Sequence, residues 1–200
     1  MVRRLAVFFL MSWAALLSVF PVSAEDAGPR IMAKVTVTTN FYTVTGSTPR
    51  EISESKKNAR PWKERFSYDG YSEWDVKWTF RYSKRPDETV LDALEITTKV
   101  VVTLPRWIPP TNAPPHMVAR WRQYILALAN HELGHISLAR LTTAELEKEF
   151  KAVPPAPTPR ALNVAVNRLG SQIVEKFRQR DADYDKQTSH GATQGAELRW

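Results

Sequence analysis

Nine prolines fall in two clusters, and between them they decide where a long helix can lie. Pro105, Pro109, Pro110, Pro114 and Pro115 form the first cluster; Pro154, Pro155, Pro157 and Pro159 form the second. Proline lacks a backbone N–H and locks φ, so neither cluster can sit inside a helix or a central strand. The stretch between them contains no proline. There Val118, Trp121, Ile125 and Leu128 recur at spacings of three and four, the period of a helix with one apolar face. This predicts a long helix from Pro115 to about Phe150. Beyond the second cluster Leu162, Val166, Leu169, Ile173 and Phe177 mark a second helix, broken at Thr188-Ser189-His190-Gly191.

The chain before residue 105 has a different period. In Glu73–Tyr82, Trp74, Val76, Trp78, Phe80 and Tyr82 alternate with polar residues, which is a half-buried strand with an aromatic inner face. That face reads as packing against a helix rather than as a substrate groove. Val90–Leu104 alternates in the same way. A turn over Ser83–Glu88 makes the two an antiparallel pair, and Pro105 is expected to end the second strand. Lys34–Gly46, rich in Val, Thr and Tyr, reads as one or two further strands, with a short helix near Arg50–Asn58. The expected fold class is α+β: a small antiparallel sheet followed by two long helices packed on it.

The first two dozen residues stand apart. Arg3 and Arg4 precede an almost unbroken apolar run from Leu5 to Phe20, and Val22-Ser23-Ala24 offers small residues for cleavage. This is the pattern of a secretory signal peptide over residues 1–24, leaving a single domain at 25–200 that is periplasmic or secreted and keeps no stable membrane anchor. Removing Arg3 and Arg4 takes the formal charge from +7 to +5, because 28 − 2 = 26 basic residues face 21 acidic ones. The excess is spread along the chain, without a Lys/Arg block or a nucleic-acid module, so no nucleic-acid partner is expected. Cysteine is absent, which leaves an exported chain to rely on its core or on a metal.

The chemistry concentrates in ALANHELGHISL, residues 127–138. On a helix, positions four apart share a face, so His131 and His135 can direct two imidazoles at one zinc ion. Glu132 is turned away from that ion but can reach a water beside it, which suits a general base. Gly134 carries a helix-propensity cost of about 1 kcal/mol relative to Ala, which suggests that another chain segment or a substrate approaches closely there. A catalytic zinc needs a third protein ligand. One known completion would require Gly at position 138 and His at 141, where this chain has Leu138 and Leu141. Glu145 lies too far along the same helix. His116 precedes the helix and would have to fold back over about four turns. Glu175 on the second helix and His190 just past it remain as candidates, and His190 fits best if the two helices run antiparallel.

Motifs along nearly the whole mature chain resemble a family of predicted secreted bacterial zinc-dependent proteases, catalogued as a domain of unknown function. They are Tyr42-x-Val44-x-Gly46, Trp74-x-Val76-x-Trp78, Leu104-Pro105-x-Trp107 and Trp121 ahead of His131-Glu132-x-Gly134-His135. A closing Tyr184-Asp185-x-x-Thr188-x-His190-Gly191-x-x-Gln194 completes the set. The resemblance implies a zincin-like arrangement with the histidine motif on the first long helix, and His190 as the third zinc ligand. Within the same closing motif, Tyr184 is a candidate catalytic donor to an oxyanion, and Asp185 a candidate to orient a ligand imidazole. The expected function is an exported zinc-dependent peptidase acting on a peptide or protein through a zinc-activated water. The alternatives are an amidase acting on cell-wall peptides, and a non-catalytic envelope protein with a structural zinc that binds a partner through the Trp-rich sheet.

Overall fold

The structure, a computed structural model, describes residues 28–62 and 68–200. The expected signal peptide, residues 1–24, lies outside the described residues. Among the described residues the elements run β1 (Arg30–Val44), α1 (Pro49–Ala59), β2 (Tyr71–Lys84), β3 (Thr89–Trp107), α2 (Pro115–Lys151) and α3 (Pro159–Thr188). A 3-10 turn follows at Ala192–Gln194. No helix among them is long and apolar enough to cross a membrane.

The proline clusters act as their chemistry requires. Pro115 opens α2 and Pro159 opens α3, each in the first turn, where a missing N–H costs nothing. Thr158 caps α3 by accepting from the Ala161 amide, and Thr48 with Glu51 forms a reciprocal capping box at the start of α1.

The sheet is mixed rather than antiparallel. β2 and β3 form the expected antiparallel hairpin, but β1 lies parallel to β3, in the order β1-β3-β2. The reason is topological. The segment containing α1 carries the chain from the end of β1 past one strand position to β2. The hairpin then brings β3 back between them, running in the direction of β1. Parallel neighbours need such a crossover, and the segment between β1 and β2, with the expected short helix in it, supplies it.

Pro105 does not end β3, which continues to Trp107. β2 reaches only to the partner of Thr103, so beyond that point β3 has β1 alone as neighbour. Ile108 donates its amide to Val44, so residue 105, of opposite parity, faces the side that β2 has vacated. A proline is tolerated where no ladder bond is asked of it.

Helices α2 and α3 cover one face of the sheet. Trp74 is buried, and Val76, Trp78 and Phe80 are half-buried against the core. Trp78 lies against Gly170 of α3 so closely that a Cβ there would meet its indole at 2.6 Å, and its Nε1 donates to Asn167. The aromatic strand is therefore packing surface, except for Tyr82, which is exposed. From α3, Leu162, Val166, Ile173 and Phe177 are buried as the stripe predicts, and Leu169 is half-buried. Thr98 on β3 and Thr143 on α2 share a buried hydroxyl pair at 2.6 Å, tying the helix to the central strand.

Candidate metal centre

Two i, i+4 pairs face each other across the α2–α3 contact. His131 and His135 occupy one face of α2, and Asp181 and Asp185 occupy the facing turn of α3. His131 Nε2 and His135 Nε2 are 3.3 Å apart, and each is 3.1 Å from Asp185 Oδ1. These three are the group among the described residues whose ligand atoms converge as a metal would require. A tetrahedral zinc with ligand distances of about 2.0–2.1 Å spaces its ligand atoms about 3.3 Å apart. The observed triangle has that size, so an ion just outside its plane could touch all three corners.

The far side of each imidazole is also engaged. His131 Nδ1 lies 3.0 Å from the Gln194 amide oxygen, and His135 Nδ1 lies 2.8 Å from Asp181 Oδ1. Both partners can accept, so the tautomer protonated on Nδ1 is open to each imidazole, and in that tautomer each Nε2 presents a lone pair to the centre. A carboxylate and two imidazole lone pairs in van der Waals contact require a cation between them. In the metal-free chain a proton serves. Burial pulls the His135 pKa down, but Asp181 and Asp185 outweigh it and raise it to about 10. Burial would likewise raise Asp185, yet hydrogen bonds from His131 and His135 hold it well below the usual carboxylate range.

The closing motif of the sequence wraps His131. The Tyr184 ring stacks on that imidazole, with centroids 5.1 Å apart and planes within 11°, and meets His135 edge-on. Its hydroxyl donates to the His131 carbonyl at 3.1 Å. This answers the question raised by Gly134: a Cβ there would overlap the Tyr184 ring, so the close approach belongs to another segment of the chain. Tyr184 does not line the cleft over the centre; it backs the imidazoles, and the oxyanion role read from the sequence is not where its hydroxyl points. Thr188 lies 3.5 Å from His131 Nδ1. Ser189, His190 and Gly191 then take left-handed conformations in succession, and a Cβ on Gly191 would sit 2.9 Å from the His131 ring.

This reversal sets His190 beside the centre. Its Nδ1 is 3.4 Å from Asp185 Oδ1, its side chain is 43 % exposed, and its ring stacks on Tyr68 at 4.2 Å. His190 lines the open side of the cleft, outside the converging triangle, whose third corner is Asp185. Glu175 is exposed and does not line the cleft.

Glu132 is buried and lines the same cleft without joining the triangle. Ser72, at the start of β2, donates to its Oε2 at 2.6 Å, and the Gly70 backbone lies against its Oε1. Burial raises the Glu132 pKa more than the Ser72 hydrogen bond and the two imidazoles lower it. A carboxylate shifted in that direction is a better base at neutral pH.

Sequence reasoning missed Asp181 and gave Asp185 the imidazole-orienting position that Asp181 occupies beside His135. The signal was present: Asp181-x-x-x-Asp185 has the same i, i+4 spacing as His131-x-x-x-His135, as an opposed face on an antiparallel helix should. Ser72 and Gly70 carried no comparable signal.

No curated protein and no solved structure matches the chain. Residues 39–191 match the model of a bacterial family whose description is "Bacterial protein of unknown function (DUF922)". That span runs from β1 to the glycine packed against His131, and the chain belongs to this family.

Proposed function

We propose that the protein is an exported zinc-dependent hydrolase of peptide bonds, with zinc held by His131, His135 and Asp185 in a zincin-like arrangement. The observation that carries this reading is the triangle of His131 Nε2, His135 Nε2 and Asp185 Oδ1, with edges of 3.1–3.3 Å and both imidazoles back-bonded to acceptors. Three protein ligands leave one tetrahedral position for a water or a substrate oxygen. A zinc ion there supplies Lewis acidity, acidifying a water and polarising a carbonyl.

The chain's own groups then divide the work. Glu132 accepts a proton from the attacking water as its oxygen bonds to the carbonyl carbon. As the carbon–nitrogen bond breaks, Glu132 gives that proton to the departing amine. Ser72 holds the carboxylate in the orientation this needs. Gln194 and Asp181 fix the imidazole tautomers. His190 and Tyr68 flank the open side, where a substrate would enter.

Mature protein purified in zinc should contain about one zinc per chain, as a mononuclear site implies. Glu132→Gln should keep the metal while hydrolysis of an unfolded protein such as casein falls by about 10²–10⁴-fold, the contribution of a general base. Asp185→Ala should lose the metal and His190→Ala should keep it. Well-folded, metal-free protein from a zinc-replete preparation would end the reading; the reverse pattern in the last two variants would return the third ligand to His190. The burial of Trp74 and half-burial of Trp78 against the core favour packing over a partner-binding role for these two side chains.

A further inference from the structure

Residues 69–72 run alongside α2 and touch one face of it at three successive turns. Tyr124 donates its hydroxyl to Asp69 Oδ2 at 2.9 Å. The Leu128 side chain lies against Gly70, where a Cβ would meet it at 3.0 Å. Glu132 accepts the Ser72 hydroxyl on Oε2, and its Oε1 lies where a Cβ on Gly70 would be. Tyr124, Leu128 and Glu132 are spaced i, i+4, i+8 and so share a face. The rise from Tyr124 to Glu132 is about 12 Å. Three residues of extended chain span about 10 Å. The segment is therefore splinted to the helix at both ends in matching register.

The upper end of this splint is heavily anchored. Asp69 also pairs with Lys56 and with Arg60 (2.5 Å), from α1 and its end, and its carbonyl accepts the Tyr42 hydroxyl at 2.8 Å. The Asp69 side chain is 13 % exposed, and Lys56 is buried. Groups from β1, α1 and α2 thus converge on one residue that touches neither the triangle nor the cleft floor. It reaches the cleft along the backbone, through Gly70 and Ser72.

We infer that Asp69 is a positioning residue for the general base. It fixes the 69–72 segment against α2, so that Gly70 and Ser72 hold the Glu132 carboxylate toward the metal centre. This rests on the zinc reading above. Gly70 is needed because the backbone must approach Glu132 with no side chain between them. Tyr124 is the tie that sets the distance along the helix.

The test uses the zinc-loaded mature protein and acetohydroxamic acid, a small chelator of zinc that hands its acidic proton to a neighbouring carboxylate. Its affinity reports the base without a substrate. Ser72→Ala should weaken acetohydroxamate about 10-fold, the worth of one hydrogen bond to a charged group. Tyr124→Phe, which removes only the hydroxyl tie, should weaken it about 3-fold, with zinc affinity unchanged. In a Glu132→Gln background, Tyr124→Phe should then have no effect. An equal effect in both backgrounds, a fall in zinc affinity, or no effect in either would overturn the inference. A wild-type chain that takes up no zinc would instead remove the metal reading, and this role with it.

Discussion

Asp69 and Asp185 are the same side chain in two kinds of enclosure. Asp69 is 13 % exposed and Asp185 30 % exposed, and each gathers partners from beyond its own element. Around Asp69 the positive charge is part of the chain: Lys56 and Arg60 bring permanent cations, and Tyr124 fills a remaining lone pair. Around Asp185 the partners are two imidazoles whose other nitrogens are already committed to Gln194 and Asp181. The first cluster is complete as folded. The second is complete only when something positive and exchangeable, a proton or a metal ion, occupies its centre. A closed ion cluster holds the fold, while one that borrows its cation can do chemistry.

The contrast can be broken at its strongest point first. Asp69→Ala should cost about 3–5 kcal/mol in chemical denaturation, because it leaves two cations buried without their partner. The loss should be the same with zinc or with chelator. A cost that vanished in chelator would mean that the two clusters are one. Asp185→Ala should act the other way: zinc affinity, measured by competition, should fall by more than the roughly 10–100-fold that a supporting residue is worth. Its metal-free stability should suffer less than that of Asp69→Ala. Equal destabilisation of the two metal-free variants would erase the distinction. The smallest effect sharpens it. Gln194→Leu removes the acceptor behind His131 and should weaken zinc by about 10–100-fold without unfolding the chain. Unchanged affinity there would mean that the tautomer of His131 is fixed elsewhere.

What the sequence made legible follows from local physics. The proline clusters delimit α2 and α3 because a missing N–H acts at the residue that lacks it. The apolar stripes named the buried faces, and the HELGH spacing named two imidazoles and a carboxylate that line one cleft. The parallel pairing of β1 with β3 was not legible, because strand direction depends on the path of a crossover. The carboxylate that completes the triangle was not legible for a related reason. His190 is the residue type that a zinc site suggests, but the antiparallel approach of α3 puts Asp185 opposite both imidazoles and turns His190 to the open side. The ties of Ser72 and Asp69 to α2 were invisible because Glu132 and Tyr124 lie 60 and 55 residues away, and no short pattern records that distance.

The opposition of α2 and α3 has one further consequence. A single ion held by His131, His135 and Asp185 would be a covalent-strength tie between two helices in a chain that has no cysteine. It would close a loop of more than fifty residues, running around the second proline cluster and back. At a free zinc concentration about a thousand times its dissociation constant, such a tie would add about 4 kcal/mol to the folded state. The protein's lifetime among proteases would then depend on the zinc content of its surroundings, so that scarcity of the metal would shorten its survival.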